Sequence, residues 1–272
     1  MYRGFNLNLN WDDKDDKLYF EIGNEMFERY STKIRKTLKD FVLDDETLDA
    51  TKMQTNWFPM INADVFISHS HKDRKRAIAL AGWLYDSFKL KVFIDSCVWG
   101  YADDLLKLID NTHCYDPITE TYNYKLRNYS TSHVHLMLTT ALNMMIDNSE
   151  CVFFLNTPNS ITTTDIINKT ESPWIYAELL MTQLIRKQTP NRDYTKFFSK
   201  GIVNENLRMK YETDLSHLIK IDVDTLNVWI HKYNKKNDFK TFKNYLVMEE
   251  NTFIPLDFLY ELKPLSNNYI VG

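Results

Sequence analysis

Ala63-Asp-Val-Phe-Ile-Ser-His-Ser-His-Lys-Asp73 is the segment from which the fold class follows. Its apolar run, Val65 to Ile67, stops at small and polar residues, and apolar side chains then recur with helical spacing over residues 77–88. A strand that ends in Ser and His just before a helix presents polar groups at the carboxyl edge of an open α/β sheet, where such sheets bind ligands. We therefore predict a strand over residues 64–68, a helix over residues 72–89 and a binding site between them.

Strand-like runs alternate with helical patterns through the rest of the chain. Further strands are predicted at residues 91–95, 151–155 and, on a weaker pattern, 217–221. Helices are predicted at residues 132–146, 172–187, 225–247 and 254–262. In the second of these helices, Ser172 is the expected N-cap and Pro173 the first helical residue. This alternation predicts an α/β fold with a parallel sheet and right-handed crossovers.

Several segments are expected to lie outside the alternating units. Residues 1–16 are interpreted as a loose polar arm, and residues 17–42 as one amphipathic helix that faces either the core or a second copy of the chain. Residues 97–104 are expected to form a loop that contains Trp99 and Tyr101. Residues 111–130 are polar and rich in tyrosine, which indicates an insertion. The predicted division is an extension (1–60), one α/β domain (61–250) and a tail (251–272).

The composition restricts the classes of function. The chain has 272 residues, of which 44% are hydrophobic, so a packed core is expected. A formal net charge of −4 argues against nucleic-acid binding through a basic surface. Three cysteines are too few for a disulfide framework, which favours a cytoplasmic location, and neither a signal peptide nor a membrane-spanning run is recognised. The sequence contains no glycine-rich phosphate-binding motif.

Four segments in order resemble the Toll/interleukin-1 receptor (TIR) domain family, over roughly residues 62–230. Residues 64–73 look like the first strand of that family and the loop that follows it, and Val92-Phe-Ile-Asp95 is similar to its second strand. Residues 96–104 lie where the family has a mobile loop, and Trp174-x-x-x-Glu178 matches the helix that carries the catalytic glutamate of NAD-cleaving TIR proteins. The resemblance implies a flavodoxin-like parallel sheet, here with an N-terminal helical extension.

The same resemblance implies an enzyme that cleaves the nicotinamide–ribose bond of NAD, which is its substrate and not a cofactor. Nicotinamide in NAD already carries a positive charge, so its departure needs no general acid, unlike the leaving group of most glycosidases. A single carboxylate that stabilises the developing oxocarbenium ion is then sufficient, and Glu178 is the expected catalytic residue. Bacterial TIR proteins of this type commonly serve antiphage defence, in which the product, either ADP-ribose, a cyclic isomer or a conjugate, signals to a separate effector protein.

The expected substrate-binding residues lie at the ends of the predicted strands and on the following loops. They are Phe66, Ser68, His69, Ser70, Asp95, Ser96, Trp99, Tyr101 and Trp174. Alternative roles remain open for two of these positions and for the nearby Lys72: Ser70 and Lys72 suit capping of the next helix equally well, and Trp174 suits a core position. Self-association is expected through the α/β domain and the helix at residues 17–42.

Two other classes of function remain open, and two kinds of site are disfavoured. The chain is alternatively a non-catalytic TIR interaction module, or an enzyme that exchanges bases as nucleoside deoxyribosyltransferases do. His69-x-His71 and His133-x-His135 look like metal-binding pairs, but spacing by two does not align side chains at a helix start, so no metal is expected. The absence of a GxSxG motif disfavours a serine hydrolase.

Overall fold

A computed structural model describes residues 1–11, 13–31, 41–42, 47–94, 96–164, 167–170, 172–185, 187, 211–244 and 254–265. The strands are β1 (Arg3–Asn8), β2 (Val65–Ser68), β3 (Val92–Ile94), β4 (Tyr115–Asp116), β5 (Thr121–Tyr122), β6 (Cys151–Leu155), β7 (Thr162–Thr164), β8 (Ile167–Thr170), β9 (Tyr211–Glu212) and β10 (Ile219–Asp222). The helices are α1 (Asp13–Ser31), α2 (Ala50–Trp57), α3 (Arg74–Phe88), α4 (Ser96–Ile109), α5 (Tyr124–Asn148), α6 (Pro173–Leu184), α7 (Val223–Asn244) and α8 (Pro255–Leu262). Within these ranges, every helix is too short or too polar to cross a membrane.

The central sheet has five strands in the order β10-β1-β6-β2-β3, and all four pairings are parallel. The predicted α/β fold with a flavodoxin-like parallel sheet is confirmed. If β2, β3 and β6 are counted as the first, second and third strands of the α/β units, their spatial order β3-β2-β6 is 2-1-3, as at the start of the flavodoxin strand order. The N-terminal strand β1 then lies between β6 and β10, so the first segment of the chain completes a sheet whose other strands come later in the sequence.

Helices cover both faces of this sheet, which explains why β2, β3 and β6 are continuous apolar runs with every residue buried. On one face, α1, α3, α7 and α8 pack over side chains such as Val65, Phe153 and Leu7. On the other face, α2, α4 and α5 pack over Phe66 and Phe93. Beside them on this second face, α6 covers Phe154. The polar ends of β2 and β6 therefore open next to α6.

The N-terminal segment differs from its prediction. A loose polar arm is wrong for residues 3–8, because β1 pairs with β6 on one side and β10 on the other. The alternating side chains Phe5 and Leu7 are completely buried, with Asn6 between them on the opposite face of the sheet. The two apolar side chains of this strand, Phe5 and Leu7, were too few to be recognised beside the polar residues that follow it.

The helix predicted at residues 17–42 begins earlier, as α1, and is followed through Ser31; residues 32–40 lie outside the described part of the chain. Phe41 and Val42 are not part of it, since Val42 forms an isolated antiparallel bridge with Leu48. The sequence pattern of this helix has an apolar stripe that starts with Leu18, Ile22 and Met26. At its first position, Leu18 is 57% exposed, so this part of the stripe does not face the core.

One prediction for the segment after β3 is corrected. Residues 97–104 belong to α4 and are not a loop, because Ala102, Leu105 and Ile109 repeat with helical spacing and are buried against α5. The predicted insertion at residues 111–130 contains a five-residue π-helical turn, the β4–β5 hairpin and the first two turns of α5. The helix predicted at residues 132–146 is longer at both ends, because α5 begins at Tyr124, next to the hairpin, and ends at Asn148.

Candidate active site

The site is built around a hydrogen bond between the end of β2 and the middle of α6. The hydroxyl of Ser68, the last residue of β2, donates to Oε2 of Glu178 over 2.6 Å. Ser68 is 1% exposed and Glu178 2% exposed, so the pair lies inside the protein. A buried carboxylate is costly unless hydrogen bonds stabilise it, and a bond from a hydroxyl to a charged oxygen is stronger than one between neutral groups.

The local sequence explains why α6 brings Glu178 to this position. The Ser172 hydroxyl accepts a hydrogen bond from the backbone N–H of Ile175 at 3.3 Å, and Pro173 is the first helical residue, as predicted. Ile175 and Leu179 are buried beside Phe154 of β6 and anchor α6 on the sheet. Phe154 is the residue that pairs with Ser68 across the β2–β6 ladder. This register places Glu178 over the end of β2.

His69 and Ser70 continue from Ser68 at the same edge of the sheet. His69 is completely buried and Ser70 is 9% exposed. The Ser70 side chain makes no capping hydrogen bond, although its backbone oxygen accepts from the N–H of Asp73 at 2.8 Å. Of the two roles left open for Ser70, side-chain capping is therefore wrong. Lys72 is exposed in the short turn before α3.

The aromatic candidates next to this pair occupy different environments. Phe66 lies within the core, where its ring packs on Phe93 with centroids 5.3 Å apart. Trp174 is half-buried, and its ring meets His135 of α5 edge-on at 5.5 Å. Trp174 precedes Glu178 by four residues, so the two side chains share one face of α6. Trp174 thus borders the site, while Phe66 supports it from below.

The candidates on the second strand are only partly located. Ser96 is 7% exposed and is the first residue of α4, directly after β3. Asp95 lies outside the described residues. Trp99 and Tyr101 are in the second turn of α4 and not on a loop, and their side chains are outside the described part of the chain. The structure thus brings Ser68 and Glu178 into contact, with His69 and Ser70 beside them.

A second buried carboxylate lies at this edge and was not predicted. Asp73 Oδ2 accepts from the Thr157 hydroxyl at 2.5 Å, and Asp73 Oδ1 accepts from the Asn159 side-chain amide at 2.8 Å. Ser160 closes the same loop, with its hydroxyl donating to the backbone oxygen of Leu155 at 3.0 Å. The available signal was the Asn-Thr-Pro-Asn-Ser run at residues 156–160, directly after a buried strand.

A cluster of titratable groups lies one turn beyond Glu178 on α6. The Thr182 hydroxyl lies 2.9 Å from Nε2 of His217, and Lys187 Nζ donates to the Thr182 backbone oxygen at 3.1 Å. Burial lowers the pKa of His217, and the nearby charge of Lys187 lowers it further, against an opposing effect of Asp214. Partial desolvation lowers the pKa of the Lys187 ammonium to about 8, although the residue as a whole is exposed. A neutral imidazole therefore lies against this end of α6 at pH 7.

The described residues contain no group of three or more His, Cys, Asp and Glu side chains arranged to hold a metal ion. His71 of the His69-x-His71 pair is exposed in the turn before α3. The central feature of the candidate site is a buried carboxyl group that accepts a hydrogen bond from a hydroxyl at the carboxyl edge of a parallel sheet.

No protein-family model, curated protein or solved structure matches this chain. The fold establishes the class of protein, an α/β protein with a doubly covered parallel sheet. The case for a particular activity depends on the geometry of the site.

Proposed function

We propose that this protein cleaves the bond between nicotinamide and ribose in NAD, with Glu178 as the catalytic carboxylate. The observation that carries the proposal is the buried hydrogen bond of 2.6 Å between Ser68 and Glu178. It places a hydroxyl donor on a buried carboxyl group at the sheet edge where parallel α/β proteins bind their ligands. The order of motifs that resembles NAD-cleaving TIR proteins supports the same reaction.

The proposed chemistry uses the charge of Glu178. As the C–N bond breaks, the electron pair leaves with nicotinamide, which becomes neutral, and positive charge develops on the ribose. The carboxylate stabilises this charge more in the transition state than in the ground state, which is the requirement for catalysis. Water, a hydroxyl of the same nucleotide or an external acceptor then attacks the ribose carbon and loses a proton, giving ADP-ribose, a cyclic isomer or a conjugate.

The proposal gives Ser68 a role in the free protein. Its hydroxyl occupies an acceptor position on Glu178 that a ribose hydroxyl would take in the complex. Because Glu178 is only 2% exposed, substrate entry requires neighbouring side chains to move first. The hydroxyl of Ser68 thus stabilises the carboxylate in the absence of substrate and yields that position on binding.

The deciding experiment incubates the purified protein with NAD and quantifies nicotinamide by chromatography. We expect the wild type to release nicotinamide and Glu178→Gln to be at least about 10²-fold slower, because the amide retains the shape of the side chain but not its charge. Glu261→Gln, a change at an exposed position of α8, is the matched control and retains wild-type activity. Mass spectrometry of the second product identifies the attacking nucleophile.

Other results of this assay would overturn the proposal. Equal rates for the wild type and Glu178→Gln would exclude the assigned catalytic residue. Absence of nicotinamide release at high protein concentration, where self-association is favoured, would favour an interaction module. Base exchange on nucleosides that lack a pyrophosphate would favour the transferase alternative.

A further inference from the structure

The carboxylate of Asp73 does not cap the helix that follows it, although its position in the chain predicts a cap. Asp73 is the N-cap residue of α3, where an aspartate normally accepts a hydrogen bond from a backbone N–H of its own helix. It makes no such bond to α3, which the structure describes from end to end. Its two oxygens instead bind Thr157 and Asn159, in the loop after β6. The side chain therefore connects the loop after β2 to the loop after β6.

The loop after β6 is organised around the group that binds Asp73. The Thr157 hydroxyl donates to Asp73 and also lies 3.2 Å and 3.3 Å from the backbone N–H groups of Asn159 and Ser160, from which it accepts. In addition, the backbone N–H of Thr157 donates to the Ser160 hydroxyl at 2.9 Å. One charged side chain thus fixes the hydroxyl around which this loop folds.

The same loop reaches the helix that carries Glu178. Ile161 directly follows Ser160, is 6% exposed, and packs in one cluster with Ile175 and Leu179 of α6. Ile175 and Leu179 flank Glu178 along the helix. Asp73 is therefore linked to α6 through the loop, while Ser68, five residues before Asp73, is linked to α6 through its hydrogen bond to Glu178.

We infer that Asp73 is a positioning residue that holds α6, through the loop at residues 157–161, in the place where Glu178 meets Ser68. The inference rests on the proposed function. Its physical basis is that the loop at residues 157–161 forms part of the surface on which α6 packs, through Ile161 beside Ile175 and Leu179. A shift of this loop therefore alters the position of Glu178 relative to Ser68. Misplacement of a catalytic group by about 1 Å is enough to reduce a rate by roughly 10²-fold.

The test compares variants that remove the connection with one that retains it. Asp73→Asn presents an amide where a carboxylate oxygen accepted a hydrogen bond, and Thr157→Val removes the hydroxyl at nearly constant volume. Thr157→Ser keeps the hydroxyl. We expect kcat for nicotinamide release to fall roughly tenfold or more in the first two variants with little change in KM, and to remain near the wild-type value in Thr157→Ser.

The chain offers a matched control for general loss of stability. Asp110 is also a buried carboxylate, which binds the Ser130 hydroxyl at 2.5 Å and Nε of Arg127 at 2.9 Å, but it joins the hairpin region to α5 and not to α6. Asp110→Asn should lower the melting temperature as Asp73→Asn does while leaving kcat unchanged. Equal losses of kcat in these two variants would show that Asp73 acts through stability alone and would overturn the inference.

Hydrogen exchange provides a readout that does not need activity. Asp73→Asn and Thr157→Val should accelerate amide exchange across residues 157–161 and in α6, and Asp110→Asn should not. Unchanged exchange in α6 would refute the connection even if NAD cleavage is found. Accelerated exchange in a protein whose wild type releases no nicotinamide would retain the connection and reject the proposed reaction.

Discussion

At the scale of single residues, the site depends on a hydroxyl and a carboxylate that lie 110 positions apart in the chain. Both were predictable, because each ends or interrupts an apolar pattern: Ser68 follows a buried run, and Glu178 is the one charged residue of α6. The Asp73–Thr157 contact was not predictable from either residue alone. An aspartate before a helix predicts a cap, and only the approach of the loop after β6 changes its partner.

The Ser68–Glu178 bond predicts energetic coupling between the two positions. We expect Ser68→Ala to lower the free energy of unfolding by about 1–3 kcal/mol, because a buried charged acceptor loses its donor. In a protein that already carries Glu178→Gln, Ser68→Ala should lower the free energy of unfolding by at least about 1 kcal/mol less than in the wild type, since the remaining acceptor is neutral. Urea denaturation of the four proteins measures the difference.

Ser130→Ala is the control for this cycle, since the Ser130 hydroxyl donates to Asp110, a different buried carboxylate. Its effect and that of Glu178→Gln should add. Additive effects of Ser68→Ala and Glu178→Gln would contradict the hydrogen bond.

At the scale of elements, two glycines determine how α1 lies on α3. A Cβ atom at Gly23 would approach the backbone oxygen of Ile78 to 2.0 Å, and one at Gly82 would approach the backbone oxygen of Tyr19 to 2.0 Å. The two helix backbones therefore touch at this crossing. The face of α1 with Tyr19 and Gly23 turns toward the core, and Leu18 remains exposed. Hydrophobic periodicity alone predicts that the face with Leu18 meets the core, because a glycine adds nothing to a hydrophobic pattern.

Gly82→Ala should therefore destabilise the protein. An added methyl group would usually stabilise a helix by roughly 1 kcal/mol relative to glycine, but here it meets backbone atoms that cannot move separately from α1. We expect a net loss of about 1–3 kcal/mol in the free energy of unfolding, measured by chemical denaturation.

Gly4→Ala is the matched control for this change. The Cβ atom there would meet the Leu218 side chain, with Cδ2 at 2.5 Å and Cγ at 3.9 Å, and no backbone atom is among these contacts. Its cost should be clearly smaller than that of Gly82→Ala. A stabilising effect of Gly82→Ala would mean that α1 and α3 are farther apart than described.

At the scale of the whole molecule, the N-terminal strand β1 lies between β6 and β10 and links them into one sheet. β1 is the neighbour of both β6 and β10, so without it β10 loses its partner strand. Arg3 adds a further link, because its guanidinium donates to the backbone oxygens of Tyr260 at 3.1 Å and Lys263 at 2.7 Å, at the end of α8. The first strand thus connects to the last helix.

Two leucines distinguish this arrangement from a loose N-terminal arm. Leu7 is completely buried in β1, while Leu18 is 57% exposed on α1. We expect Leu7→Ala to lower the free energy of unfolding by about 2–5 kcal/mol, as large-to-small changes in cores do. Leu18→Ala should change it by less than about 0.5 kcal/mol. Denaturation curves with similar midpoints for both variants would contradict the central position of β1.

The sequence by itself determined what depends on neighbouring residues: the strands at residues 65–68, 92–94 and 151–155, the cap that begins α6, and the polar ends at which a site is formed. These features follow from side-chain periodicity and backbone hydrogen bonding over a few residues. Only the tertiary structure decided the place of β1, the inner face of α1 and the partner of Asp73. Each of these depends on contacts between segments far apart in the chain. A pattern of neighbouring residues carries no information about which distant segments meet.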